Sequence, residues 1–173
     1  MLFVTSATLM QAQVNRSVSY FHLRDVRLLE SPFRHAEELN KAYLLEMSAD
    51  RLLAPFHREA GLTPKAGSYT NWENSGLDGH IGGHYLSALS LMAASTGDRE
   101  IESRLDYMLS ELKRCQQANG NGYIGGVPGS KAVWDEIASG KIDAGGFSLN
   151  GRWVPLYNIH KTFAGLRDAW VDG

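Results

Sequence analysis

Two adjacent helical segments of opposite character leave this chain few architectures to choose from. From His80 to about Ser95 the residues are apolar nearly all round, with Leu86, Leu89 and Ala93 among them, and a helix hydrophobic on most sides is an inner helix packed by others. Thr96-Gly97-Asp98 then makes a tight connection with Asp98 as cap. The next helix, Arg99 to about Ala118, carries Ile101, Leu105, Met108, Leu109 and Leu112 on one stripe. One inner and one outer helix joined by a short turn form an αα-hairpin. Trp153 to about Trp170 is again mostly apolar with few charges, which predicts a second inner helix.

The flanking elements fill in an all-α domain. Ser31-Pro32 has the form of an N-cap followed by Pro at the first helical position. The helix is expected to run to about Leu53, bury one face through Phe33, Ala36, Leu39, Tyr43, Leu44, Met47 and Leu52, and stop at Pro55. Phe21 to Leu29 alternates apolar and polar residues, which predicts one short strand before the helical body. Residues 60–79 carry no period and predict a loop. The Gly-rich run from Asn119 to Gly129 leads to a short helix around Lys131 to Ser139 and a further loop to Arg152. The loops are long at one end of the helices and short at the other, and the long-loop end is the expected site.

Composition enters mainly by exclusion. With 17 Lys+Arg against 19 Asp+Glu the net charge is −2, so there is no basic footprint for nucleic acid and no polybasic anchor for a membrane surface. The 173 residues contain one Cys, which rules out an internal disulfide and a cysteine-only metal cluster. Residues 1–13, MLFVTSATLMQAQ, are apolar and small and lead to an Ala12-Gln13 junction, as the remnant of a secretory signal does. Export to the periplasm or the extracellular space is the expectation, with 20–173 as a single domain.

Seven residues stand out as candidates for binding. His80 and His84 are spaced i, i+4 and share one helix face. That suits a ligand or a hydrogen-bonded core, and less well a metal, since no HExxH pattern accompanies it. Asp78 precedes this helix, where it either caps free N–H groups or reaches a sugar hydroxyl. Trp72-Glu73 pairs an indole with a carboxylate, a combination that stacks on and hydrogen-bonds to carbohydrate; the same Trp could equally pin the loop. Tyr157 and His160 lie in the opening turns of the last helix, at the same end as His80 if the two inner helices run parallel. Carboxylates for glycoside hydrolysis could be drawn from Glu73, Asp78 and Asp135, but no complete catalytic set is visible. Cys115 sits in the outer helix and suits a small buried hydrophobe.

Five stretches carry a family resemblance: DVRLLESPF, RLLAPFHREAGL, NWENSGLDGHIGGHYLSALSLMAASTGD, LKRCQQANGNGYIGG and LNGRWVPLYNIHKTFAGLRDAW. From about Phe21 to Trp170 the chain resembles glycoside hydrolase family 127, which includes β-L-arabinofuranosidases. The resemblance implies an (α/α)6 barrel with the substrate pocket where the inner helices begin. It implies that His160, and with it Asp78, His80 and His84, line a furanoside pocket, with Trp72 and Tyr157 nearby. It also implies a zinc ion in the full-length family, held with a cysteine nucleophile, and a catalytic glutamate, all downstream of the matching stretches; Cys115 does not match the nucleophile. The expectation is therefore the N-terminal part of the barrel in a truncated, exported arabinofuranosidase, inactive alone and without its own cofactor. Its partners would be a carbohydrate substrate and either a missing C-terminal half or another copy of itself. Two alternatives stand beside it, a non-catalytic carbohydrate-binding or interaction module and a metal-dependent hydrolase built on His80 and His84.

Overall fold

The computed structural model describes residues 18–173, so the expected signal remnant at 1–13 lies outside the described residues. The helices are α1 (Pro32–Glu46), α2 (Ala49–Glu59), α3 (His80–Thr96), α4 (Arg99–Asn119), α5 (Ser130–Ala138) and α6 (Pro155–Val171). Between the last two lies a small antiparallel sheet of β1 (Ala144–Gly145), β2 (Ser148–Leu149) and β3 (Arg152–Trp153). The architecture is all-α apart from this ribbon.

The α3–α4 hairpin forms as expected. Gly97, at φ 65°, closes α3 in the left-handed conformation, and Asp98 accepts from the N–H groups of Glu100 and Ile101 to open α4. Leu86 and Leu89 of α3, Ile101, Leu105, Met108 and Leu112 of α4, and Leu52, Leu53 and Phe56 of α2 form one buried core. Each such side chain contributes about 1.5–3 kcal/mol by leaving water.

The second inner helix, α6, lies against α3 at backbone contact distance. A Cβ on Gly83 would stand 2.3 Å from the carbonyl carbon and oxygen of Lys161, and a Cβ on Gly165 would stand 2.3 Å from the Gly83 carbonyl oxygen. Further along, Ser87 Oγ donates to Asp168 at 2.6 Å. Positions 80, 83 and 87 thus meet 157, 161–162 and 168 in the same order, so the two inner helices run parallel. At the other end Arg27 reaches the Ala94 carbonyl at 3.2 Å and Arg24 the Asp172 carbonyl at 3.1 Å, strapping the N-terminal segment across the C-terminal ends of α3 and α6.

Several expectations need correction. Residues 21–29 form no strand; Leu23–Asp25 is a 3-10 turn and the rest is extended without a ladder partner, with Phe21 and Leu29 both exposed. The strand pairing falls instead at 144–153, where Asn150 and Gly151, at φ 47° and 70°, make the two-residue turn that joins β2 to β3. Ser31 and Pro32 start α1 as expected, but the helix breaks at Met47-Ser48. There the hydroxyl of Tyr85 donates to the Leu44 carbonyl, Arg104 donates to the Met47 carbonyl, and the Ser48 N–H donates to the Tyr69 hydroxyl. Tertiary partners replace the helical ladder. Pro55 does not stop the helix; it is buried inside α2 and forgoes one ladder bond. Of the expected α1 face, Phe33 is 74% exposed and Leu39 and Tyr43 are also exposed, leaving Leu44 as the buried residue of this helix.

Candidate functional site

Because α3 and α6 are parallel, their N-terminal ends meet at one end of the fold, together with the 60–79 loop. A short 3-10 turn, Asn71–Asn74, carries Trp72 and Glu73 to that end, with Asn71 at φ 61°. His80, in the first turn of α3, is the hub. Its ring centroid lies 6.1 Å from Trp72, 6.2 Å from His84, nearly edge-on, and 6.2 Å from Tyr157 of α6. Trp72 is 62% and Tyr157 42% exposed, so two aromatic faces meet solvent beside a histidine that is 3% exposed.

Glu73 holds this arrangement from below. It is buried, with Oε2 accepting from the Gly79 N–H at 2.9 Å and Oε1 from the Ile81 N–H at 3.0 Å. These are free donors of the first turn of α3, which a glycine at the cap position cannot satisfy itself. Glu73 Oε1 also lies 2.8 Å from His80 Nδ1, and the Leu77 carbonyl lies 2.8 Å from the same nitrogen. With two acceptors on Nδ1, that atom carries a proton and Nε2 is left for a ligand. Burial of His80 works against its charge, but the Glu73 hydrogen bond and the Leu77 carbonyl outweigh it, against opposition from Lys161, and the pKa rises above its ordinary value. His84 goes the other way: partial burial and then the charges of Lys161, His80 and His160 lower it.

Asp78 does not cap α3. Its carboxylate is buried, accepting from Arg58 at 3.3 Å and from the Gly76 N–H at 3.0 Å. Asn158, fully buried in the first turns of α6, donates to the carbonyls of Leu77 at 2.8 Å and Asp78 at 2.9 Å, tying the second inner helix to the start of the first. His160 is exposed near His84, and Lys161 stands 4.8 Å from the Tyr157 ring centroid. Trp72, Glu73, His80, His84 and Tyr157 thus come together, His160 joins them at the rim, and Asp78 braces the loop. Asp135 is exposed on α5 and belongs to none of this.

Asn158, Arg58 and Lys161 were not singled out from sequence. Asn158 had a usable signal, an amide inside an otherwise apolar helix. Val154, at φ 40° and ψ 48° just before Pro155, had none: a β-branched residue in the left-handed region is a strained way to enter α6.

Among the described residues no group of three or more His, Cys, Asp or Glu could hold a metal ion. Cys115 is buried in α4, and burial, with the nearby Glu111 charge, pushes its thiol to about 11. Among the described residues no helix is long and apolar enough to cross a membrane. A family model described as "Beta-L-arabinofuranosidase, GH127 catalytic domain" matches residues 25–171. No curated protein matches the chain.

Proposed function

The chain belongs to the family of the β-L-arabinofuranosidase GH127 catalytic domain, and from that premise we propose that it carries the sugar-binding part of an exported hydrolase acting on arabinofuranosides of plant glycans. The observation that supports this most is the ring cluster around His80, opened to solvent by Trp72 and Tyr157 at the shared N-terminal end of two parallel inner helices.

In this reading the exposed indole and phenol stack on the C–H faces of the furanose. His80 Nε2, with Nδ1 fixed by Glu73 and Leu77, addresses a hydroxyl with a defined orientation. His84, whose charge is disfavoured by burial and by Lys161, and His160 at the rim supply further hydrogen-bonding atoms. The parent reaction is retaining double displacement, but no catalytic pair is assigned within this chain. Glu73 and Asp78 are buried and committed to backbone N–H groups and to His80 and Arg58. The residues present do not fit the family's cysteine-held zinc either, since the chain has one cysteine and it is packed in the apolar core, where burial disfavours the thiolate a metal needs.

Exposed apolar side chains support a larger ring. Leu39 and Tyr43 on α1 and Leu156, Phe163 and Trp170 on α6 lie uncovered, Trp170 at 86% exposure, and faces of this kind are ordinarily covered by neighbouring elements. The proposal is that further hairpins of the same enzyme cover them and bring the catalytic groups. The same faces would serve a non-catalytic module that pairs with a second copy while binding glycan.

Assaying the chain and a longer open-frame product on p-nitrophenyl β-L-arabinofuranoside tests the reading. The longer product should cleave and the chain alone should bind without cleaving. Cleavage by the chain alone would overturn the assignment of chemistry elsewhere; a concentration-dependent dimer that binds but never cleaves in either length would favour the module.

A further inference from the structure

Adjoining the loop that carries the His80 cluster is a hollow bounded by Ser75 and Gly76, by Val127 to Gly129, and by Gly151 to Trp153. Two of its walls continue the candidate site, since Gly76 belongs to the loop that carries Trp72 and Trp153 leads directly into α6. Its two functional side chains sit on β3, held by the Asn150-Gly151 turn and by the Leu149–Arg152 pairing. Trp153 is 45% exposed and its indole lies over Gly76, whose Cβ position is 3.9 Å from the ring edge at Cε3.

Arg152 is the unusual member. Its Nε is buried without an acceptor, and among the described residues no carboxylate or carbonyl pairs with the rest of the guanidinium. The acid that holds the same loop, Glu59, spends its oxygens on the N–H groups of Gly129 at 2.8 Å and Lys131 at 2.9 Å. The guanidinium is packed on Gly129, where a Cβ would stand 2.5 Å from one terminal nitrogen. A planar cation fixed in place, partly desolvated and lacking an anion, is a receptor for a carboxylate, which it binds through two parallel hydrogen bonds. An exposed indole alongside is a platform for a sugar ring.

We propose that this hollow is a subsite for a uronic acid residue of the glycan, with Arg152 taking the carboxylate and Trp153 the ring. The inference rests on the reading of the adjoining cluster as a carbohydrate site and names an acidic neighbour for the arabinofuranoside placed there.

The test follows the Trp153 indole N–H signal, identified by its loss in Trp153→Phe, while D-galacturonate, D-galactose or acetate is added to the full chain. Galacturonate should shift it with a saturating curve and bind at least about tenfold more tightly than galactose, the discrimination expected of a charge-assisted pair. Acetate should bind more weakly than galacturonate, because it lacks the ring. Arg152→Gln should remove the preference for the acid, with an unchanged His80 signal showing that the fold is retained. Equal binding of galactose and galacturonate, a preference that survives Arg152→Gln, or no shift with any probe would overturn the proposal. Methyl β-L-arabinofuranoside, followed at His80 in the same sample, separates the outcomes: if it shifts His80 while galacturonate leaves Trp153 still, the subsite fails and the sugar-binding reading stands.

Discussion

Replacing Gly83 by Ala should destabilise this protein even though the same change in an ordinary helix is favourable by about 1 kcal/mol. The added Cβ would lie 2.3 Å from the carbonyl carbon and oxygen of Lys161 and 2.7 Å from the Thr162 nitrogen. Unstrained contacts lie at roughly 3.5–4.0 Å, so α6 must retreat by about 1 Å or more along its seam with α3. The obstructing atoms are backbone, and no side-chain rotation relieves them. Overpacking of this kind costs about 1–3 kcal/mol, and separation of the helices also loosens the Gly165 contact and the Ser87–Asp168 bond. A net loss of about 2 kcal/mol corresponds to a melting temperature lower by roughly 4–8 °C for a chain of this size. Thermal melts followed by far-ultraviolet circular dichroism measure it, with Gly67→Ala as control, since nothing lies within 4 Å of a Cβ at that position. The control should move little. A Gly83→Ala protein that melts at or above the parent temperature would refute the close parallel packing of the inner helices, and with it the convergence of His80 and Tyr157.

His80 should titrate above an ordinary histidine, and Glu73→Gln should bring its pKa down; proton resonances of the imidazole followed against pH check both. Since the folded pKa is the higher one, the stability His80 contributes is fully present below about pH 6.5 and is lost as pH rises through the folded pKa. Cys115, with its thiol near 11 and its side chain buried, should resist Ellman's reagent in the native protein at pH 8 and react fully in denaturant; rapid native labelling would contradict its place in the core. Asp98→Ala removes the α4 cap and the Lys41 ion pair, and should cost about 1 kcal/mol by urea titration. Lys41 and the helical N–H groups hold the Asp98 carboxyl below its usual range, so this contribution should fade as pH falls through that lowered pKa.

The hairpin and the inner helices were legible because their signals are local: a cap at Asp98, a left-handed glycine at Gly97, and apolar residues spaced for one turn after another. Residues of the His80 cluster were legible by type and by helix position. What decided the rest lies far away in the chain. Nothing between Glu46 and Ala49 announces a break, since the groups that make it, Tyr85 and Arg104, come from α3 and α4. The period-two run at 21–29 is a sound strand pattern without a neighbour to pair with. Glu73 has the composition of a sugar ligand, yet its carboxylate caps α3 and faces His80, because the first-turn N–H groups lie closer than solvent. Like the Asn158 amide, the Asn150-Gly151 turn is a local signal that the reading of the sequence lacks, and it places Arg152 and Trp153.

The shared direction of α3 and α6 also has an electrical consequence. Helices packed antiparallel largely cancel one another's macrodipoles, whereas these two add, placing about half a positive charge at each N-terminus on the side of His80. Arg24 and Arg27 meet the opposite, negative ends. The antiparallel α4 offsets part of this over the length of the fold, but the effect of a helix terminus acts within its first turn, so the end that gathers the aromatic rings keeps a local field that favours electron-rich oxygen.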